Sequence, residues 1–189
     1  MGKLVVTEFV TLDGVIEDPG GSEKSARGGW AFKFETGEEG DKFKYDELMA
    51  SDAQLMGRVT YEGFAEAWPT MEGTGEFGEK MNGMPKFVVS TTLESPEWNN
   101  TSVVNGDLGE MVASLKAQFD GDILVAGSAQ LVQSLLARDL VDELHLMVFP
   151  IVLGEGKRLF ADGPDTTSLK LVETKQTGSV ALLTLSCDS

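Results

Sequence analysis

The 189-residue chain alternates short apolar runs of strand length with amphipathic patterns of helical period. The clearest helical pattern repeats apolar residues along one stripe: Leu108, Met111, Val112, Leu115 and Phe119. An apolar run at residues 122–126 follows it directly. Strands separated by helices favour a largely parallel sheet, because parallel neighbours need a crossover connection. The alternation therefore predicts an α/β fold in which helices flank one central sheet.

The rest of the chain extends this pattern. Strands are predicted at residues 3–11, 53–57, 86–91, 101–104, 122–126, 144–149, 168–175 and 180–185. Helices are predicted at residues 41–50, 60–67, 108–119 and around 131–136. In residues 71–84, glycine and acidic residues recur without a period, which predicts a mobile surface excursion. No repeat or linker is visible, so we predict a single three-layer α/β domain over residues 1–189, built on a mixed sheet.

The chain is strongly acidic, with 31 Asp and Glu against 15 Lys and Arg and a formal net charge of −16. Such a surface repels phosphate backbones, so nucleic acid is not expected as a partner. The longest apolar stretch, residues 144–153, is too short to span a bilayer. The first residues lack the apolar core of a signal peptide. We therefore expect a cytoplasmic protein with no membrane partner.

Cys187 is the single cysteine and His145 the single histidine. An internal disulfide is impossible, and a zinc site built from several such residues is excluded, so we expect no metal. A Ser-His-Asp triad would have to use His145. That residue lies in an apolar run of strand length, where a lone histidine more often packs than reacts.

Two junctions between a predicted strand and a predicted helix carry small residues. One runs through residues 57–60, and the other through residues 126–130. A helix start offers free N–H groups and the positive end of the helix dipole, so both junctions are candidate phosphate cradles. The alternative is that each glycine only serves a tight turn. Hydroxyls at residues 90–92 follow a third strand, at the end where open α/β sheets bind ligands.

Six segments of the chain, in order, carry a resemblance to a known family: residues 10–16, 52–62, 86–90, 126–128, 140–144 and 150–160. They resemble the dihydrofolate-reductase-like family, and within it bacterial proteins similar to the C-terminal reductase domain of the bifunctional riboflavin-biosynthesis deaminase-reductase. The resemblance implies a central mixed sheet of about eight mostly parallel strands flanked by helices. It also implies that NADPH is the hydride donor.

The resemblance further implies cofactor-binding residues. Arg58 and Thr60, which follow Gly57, match the family's Gly-Arg-x-Thr motif that holds the pyrophosphate and the 2′-phosphate. Ser90 and Thr91 match residues near the adenosine end.

The family's glycine-rich turn at the pyrophosphate is matched by Gly127, Ser128, Ala129 and Gln130. Ala126 stands where the family usually has the first of two glycines. Ile16 matches an apolar contact to the nicotinamide.

The substrate side is predicted from fewer signals. Counting back from Gly57 without a gap places Asp41 at the position of the acid that dihydrofolate reductases hold beneath the pterin. Asp13 is the other acid near the expected nicotinamide, and either residue is a candidate proton donor. The open alternatives are a helix N-terminal acid for Asp41 and a turn for Asp13. Trp30 and Tyr45 are candidates to stack on a flat heterocycle, although such aromatics also serve as core or lid packing.

The leading functional interpretation is an NADPH-dependent reductase that transfers a hydride to a small heterocycle or carbonyl compound. One such acceptor is the 5-amino-6-(5-phosphoribosylamino)uracil type of riboflavin biosynthesis. The alternatives are an NADPH-binding sensor or interaction protein without turnover and a genuine dihydrofolate reductase. A homodimer is also expected, because residues 144–153 and 180–185 are apolar on both faces and the related reductases pair through such edges.

Overall fold

The computed structural model describes residues 1–163 and 166–187. Its strands are β1 (Leu4–Thr11), β2 (Ser51–Gly57), β3 (Lys86–Val89), β4 (Thr101–Val104), β5 (Asp122–Val125), β6 (Glu143–Phe149), β7 (Lys170–Thr177) and β8 (Val180–Ser186). Its α-helices are α1 (Gly37–Met49), α2 (Arg58–Ala67), α3 (Gly75–Gly83), α4 (Leu108–Gln118) and α5 (Ala129–Leu136). Short 3₁₀ helices span Trp30–Lys33 and Trp68–Thr70.

All these strands form one sheet in the order β4-β3-β2-β5-β1-β6-β8-β7. The strands from β4 to β6 in this order are parallel to one another. β8 runs antiparallel to both β6 and β7. The predicted mixed, mostly parallel sheet is thus confirmed. Its parallel part places the carboxyl ends of β1, β2, β3, β5 and β6 along one edge.

Helices cover the two faces of the sheet. On one face, Val112 of α4 and Val132 of α5 pack in one apolar core with alternate residues of β1, such as Leu4 and Val6. The opposite face carries α1, α2 and α3, where Tyr61 joins Val5 and its neighbours in a second core. This alternation is the period of a strand buried on both sides. The predicted three-layer fold is confirmed.

The predicted surface excursion at residues 71–84 is wrong for much of its length, because it contains α3. Four glycines and a polar composition leave residues 71–84 without a helical period, but tertiary contacts decide the outcome. Met81 is buried in the core beneath α3, and Phe77 lies 5.5 Å from Trp68 between ring centroids. Such packing overrides weak helix propensity.

The expected pairing edge also needs a correction. β6 lies between β1 and β8, and β8 lies between β6 and β7, so neither forms an edge of the sheet. Their apolar character on both faces reflects central positions. The outer strand on this side is β7, which is exposed along most of its length.

None of the helices formed by residues 1–163 and 166–187 combines the length and apolar character that crossing a membrane requires.

Candidate active site

The residues predicted to bind the cofactor follow strands that end at the same edge of the sheet. Ser90 follows β3, Gly57 ends β2, and Gly127 comes after β5. These three strands are neighbours, so the three positions lie side by side with a spacing of about 5 Å per strand. Asp13 and Ile16 follow β1, the next strand along. The fold thus brings the separate sequence segments into one row.

The two glycine junctions touch each other. The Gly57 N–H donates to the Gly127 carbonyl at 3.1 Å. A Cβ on Gly57 would lie 2.2 Å from the Ser128 Oγ, so no larger residue fits there without movement. Gly127 has a φ of 98°, which favours glycine, and the peptide bond to Ser128 is cis. The close contact between the two turns therefore requires glycine at residues 57 and 127, whether or not a ligand is bound.

The contact lies at a switch point of the sheet. From β2 the chain enters α2 on one face, whereas from neighbouring β5 it enters α5 on the other. Adjacent strands whose following helices leave in opposite directions open a crevice at their carboxyl ends, and open α/β sheets bind ligands there.

The two helices at this crevice are free of acidic residues at their starts. α2 and α5 have no acidic residue in the first turn and no side-chain cap. The first turns of α1, α3 and α4 all contain glutamate. In a chain with 31 acidic residues, no first-turn carboxylate therefore competes with an anion for the N–H groups and positive dipole ends of these two adjoining helices.

Arg58 stands at the start of α2 with its guanidinium at the surface. Its Nη1 atom contacts both carboxylate oxygens of Glu62, one turn along the helix, at 2.8 and 2.9 Å. The pair is exposed, with 44% of the Arg58 side chain accessible. An exposed ion pair of this kind is weak and can exchange its partner for a phosphate. Thr60, one turn into the same helix, is buried.

The other predicted cofactor residues are placed as follows. The Ser90 Oγ accepts from the backbone N–H groups of Thr92 and Leu93, so it closes the turn after β3, and Thr91 is exposed beside it. Ser128 precedes α5, Ala129 is buried at its first position, and Gln130 is exposed. Ile16 is buried in the apolar core near β1. Their contacts to a cofactor stay predictions.

Asp13 ties the turn after β1 to the segment after β6. Its carboxylate accepts from the Thr11 hydroxyl at 2.6 Å and from the backbone N–H groups of Leu153 and Gly154 at 3.2 and 2.7 Å. These hydrogen bonds, that from Thr11 first, lower the pKa of Asp13 to about 2. Such a carboxylate suits loop anchoring better than proton donation, and its catalytic role stays a prediction.

Asp41 and Tyr45 lie on the outer side of α1. Asp41 is exposed and accepts a hydrogen bond from the Thr36 hydroxyl at 2.7 Å. The Tyr45 hydroxyl donates to Glu76 on α3 at 2.6 Å. Neither side chain is directed at the row of strand ends, so proton transfer by Asp41 and stacking by Tyr45 stay predictions.

The loop of residues 17–29 crosses the carboxyl edge and reaches α2. Lys24 pairs with Glu66 of α2 at 3.9 Å, and a Cβ on Gly63 would lie 2.7 Å from the Ser22 Oγ. Trp30, at the end of this loop, is fully buried edge-on to Phe149. The structure therefore favours the packing alternative for Trp30, because stacking on a ligand would require the segment to move.

Sequence reasoning missed one acidic residue near the Gly127 turn, Glu8 of β1. Its side chain is buried, and its Oε1 atom has no hydrogen-bond partner among the described residues. A glutamate interrupting an otherwise apolar strand was the available signal. The same strand carries Thr7, whose hydroxyl donates to Glu47 of α1 at 2.9 Å.

Two cavities formed by described residues lie away from these junctions. A cavity of about 240 Å³ lies between α1 and the β7–β8 hairpin, and one of about 840 Å³ adjoins the end of α5. Neither is lined by residues of the junctions, where the 17–29 loop lies over the edge. In those described ranges, no group of three His, Cys, Asp or Glu side chains converges as metal ligands do.

Comparison with known proteins places the chain among sequence relatives. Residues 2–183 match the family model described as the RibD C-terminal domain. The uncharacterized protein YwjB of Bacillus subtilis (strain 168) is 30% identical over 181 residues, which cover 96% of this chain and 95% of YwjB. YyaP of the same organism is 30% identical over 176 residues, covering 92% and 88% of the two chains.

Solved structures share the fold. A protein of Shewanella sp. PV-4 described as a riboflavin biosynthesis protein superposes with a TM-score of 0.77 at 24% identity, covering 97% of this chain and 98% of that one. RibD of Acinetobacter baumannii superposes with a TM-score of 0.69 at 17% identity, covering 98% of this chain but 58% of RibD. A pyrimidine reductase-like protein of Corynebacterium diphtheriae gives 0.61 at 13% identity, covering 98% and 91%.

Proposed function

Since the chain belongs to the RibD C-terminal domain family, we propose that it is an NADPH-dependent reductase. It transfers a hydride to a small heterocyclic or carbonyl acceptor, with a pyrimidine of the riboflavin-biosynthesis type as the first candidate. The protein named RibD is larger, and this chain corresponds to 58% of it. A deaminase half would need a zinc cluster, which one histidine and one cysteine do not supply.

The observation that carries this proposal is the pair of acid-free helix starts at the switch point. The repulsion expected from a net charge of −16 is locally relieved where α2 and α5 begin. Gly57 and Gly127 carry no side chain that would push the two turns apart, since a Cβ on either would lie within 2.7 Å of a neighbouring hydroxyl oxygen. Such a surface suits the diphosphate of a dinucleotide better than a single small anion, because two helix ends contribute to it.

The residues present fit a cofactor of this kind. The α2 and α5 N–H groups would hold the diphosphate, Arg58 the 2′-phosphate, and the turn at Ser90 and Thr91 the adenosine end. When bound, NADPH supplies the hydride. The protein orients the reactants, and orientation of this type is a main source of rate enhancement in hydride transfer.

The alternatives from the sequence differ in turnover and in substrate. A sensor or interaction protein would bind NADPH without oxidising it, and a genuine dihydrofolate reductase would bind antifolates tightly. The exposed position of Asp41 favours neither alternative over the first proposal. Loss of NADPH absorbance with a panel of pyrimidine, pterin and carbonyl acceptors separates turnover from binding alone.

Replacing Arg58 by Ala tests the assignment of the 2′-phosphate. We expect NADPH affinity to fall by about 1.5 kcal/mol, the low end for a charge-assisted hydrogen bond, because the side chain is 44% exposed. NADH affinity should change much less, since NADH lacks that phosphate. Fluorescence titration with both cofactors measures the difference.

Two variants serve as controls for Arg58→Ala. Glu62→Gln removes the competing carboxylate, so NADPH should bind as tightly as before or more tightly. Arg138→Ala removes another exposed arginine, 54% accessible and paired with Asp107 at 3.3 Å beyond the far end of α5, and should leave binding unchanged. Equal losses of NADPH and NADH affinity in Arg58→Ala would contradict the assignment.

A further inference from the structure

Glu8 lies within β1 on the face that packs against α4 and α5. Leu4, Val6 and Val10 lie on the same face of the strand as Glu8, and all three belong to that apolar core. The residue is 7% exposed, and its Oε1 atom is buried without a hydrogen-bond partner among the described residues. A carboxyl group in such a place is costly to the fold and therefore calls for an explanation.

The unpartnered atom lies at the Gly127 turn. A Cβ built on Gly127 would lie 2.7 Å from the Thr60 Oγ1 and 3.7 Å from the Glu8 Oε1. The Thr60 hydroxyl and the Glu8 carboxyl thus border one point. It is the point where the uncapped starts of α2 and α5 meet.

The surroundings favour the protonated acid. Burial raises the pKa of Glu8 well above its usual range, Lys44 opposes this, and Glu23 and Glu47 add to it. Lys44 and Glu47 act from α1 on the opposite face of the sheet, beside Thr7, and Glu23 acts from the 17–29 loop. A protonated carboxyl has an O–H to donate, which an ionised carboxylate lacks.

We propose that Glu8 is a specificity-determining residue of the cofactor site, whose carboxyl group donates a hydrogen bond to a diphosphate oxygen of the dinucleotide at the Gly127 turn. This role rests on the proposed function. It gives the buried Oε1 atom the hydrogen-bond partner that the described residues do not provide. It also explains how an acid is tolerated beneath an anion site, since only the neutral form attracts phosphate.

Binding is consequently linked to a proton. Ionised Glu8 would repel the diphosphate, so NADPH affinity falls as the pH rises through the Glu8 titration. The bound diphosphate in turn favours the protonated form, so binding takes up protons where free Glu8 is partly ionised.

The test compares Glu8→Gln and Glu8→Leu with the wild type by NADPH titration. Glu8→Gln keeps a hydrogen-bond donor but does not ionise, whereas Glu8→Leu removes the donor. At about pH 7 we expect glutamine to bind NADPH within about twofold of the wild type and leucine to bind about 3- to 10-fold more weakly, as for one lost hydrogen bond. As the pH rises through the Glu8 titration, wild-type affinity should fall relative to that of Glu8→Gln, which does not ionise.

The probe 2′-AMP provides the matched control, because it carries adenosine and the 2′-phosphate but neither phosphate of the diphosphate. Its affinity should be the same in all three proteins. Thermal unfolding separates binding from folding, since Glu8→Leu removes an unpartnered buried carboxyl and should melt no lower than the wild type.

Two results would overturn the role of Glu8 alone: NADPH affinity in Glu8→Leu equal to that of the wild type, or an equal loss of 2′-AMP affinity. A wild-type protein whose NADPH affinity changes with pH no more than that of Glu8→Gln would overturn the proton linkage. A wild-type protein that binds neither compound would instead refute the proposed function.

Discussion

At the scale of single residues, Asp41 and Asp13 are the candidates to donate the proton in the proposed reduction. We expect Asp41→Asn to leave turnover within about twofold of the wild-type rate, because the carboxylate is exposed and bonded to Thr36. The rate of NADPH oxidation with a productive acceptor measures this. A fall of about 10²- to 10⁴-fold with unchanged NADPH affinity would support the proton-donor role inferred from the sequence.

Asp13→Asn is the companion variant to Asp41→Asn. Asp13 accepts one hydrogen bond from Thr11 and two more, from Leu153 and Gly154, that join the turn after β1 to the segment after β6. An asparagine keeps one acceptor oxygen, so the anchor weakens and the melting temperature falls. If turnover falls in Asp13→Asn while its melting temperature is unchanged, the proton donor lies in the first loop. Full rates in both variants would leave water as the proton source.

At the scale of elements, a polar cluster joins α1 to the sheet. Glu47 of α1 accepts from Thr7 of β1 and lies 2.8 Å from the Nδ1 atom of His145 in β6. Burial alone would raise the pKa of Glu47, but Lys44 and His145 bring it below its usual range. Burial alone would likewise lower the pKa of His145, but Glu47 and Glu143 bring it above 6.5. Near pH 6 both Glu47 and His145 are therefore charged, and their ion pair holds α1 against the sheet.

The two pKa shifts define a pH window for this cluster. The lowered pKa of Glu47 stabilises the fold above about pH 4.5, and this contribution is lost as the pH falls through the folded value. The raised pKa of His145 stabilises the fold below about pH 6.5, and this contribution is lost as the pH rises through the folded value. Both contributions are fully present only between these limits.

Replacing His145 by Asn tests the alkaline limit. Asparagine keeps a donor toward Glu47 but does not titrate, so we expect about 1 kcal/mol lower unfolding free energy at pH 6 and a flatter decline above it. Urea unfolding at several pH values measures both effects. The variant Glu8→Gln is the control, because Glu8 also contributes a loss of stability at rising pH. An unchanged alkaline decline in His145→Asn would assign that decline to Glu8.

The same scale shows why residues 71–84 resisted prediction. Glycine and glutamate leave α3 without a helical period, and the helix forms because Met81 is buried in the core on this face of the sheet. Strands and the other helices were predicted within a few residues, since their apolar spacing is imposed by burial on the sheet. A sequence pattern reveals an element when its buried residues recur at a regular spacing. The buried residues of α3 do not, because only a few of its residues contact the core.

At the scale of the whole molecule, we expect a homodimer through β7. This strand is the outer edge of the sheet, and it exposes 54% of Leu171 and 59% of Val172. An edge strand with unpaired backbone groups and exposed apolar side chains is a natural pairing surface. Light scattering at micromolar concentration should give twice the chain mass of 20.3 kDa.

A single lysine on β7 tests this arrangement. We expect Val172→Lys to shift the protein to the monomer, because a charge at the centre of an interface is not neutralised there. Val152→Lys is the matched control, since Val152 is 66% exposed in the segment after β6. A wild-type mass near 20.3 kDa, or a monomer from both variants, would contradict pairing through β7.

The sequence by itself determined the α/β class, the mostly parallel sheet and the glycine junctions at residues 57 and 127, because periodicity and turn residues are local signals. It could not determine which junctions meet, since contact between Gly57 and Gly127 depends on β2 and β5 becoming neighbours across 70 residues of chain. The relief of negative charge at two helix starts, the orphaned carboxyl of Glu8 and the outward turn of Asp41 were decided only by the tertiary structure. Burial and the direction of a side chain are properties of packed elements, and no spacing along the chain encodes them.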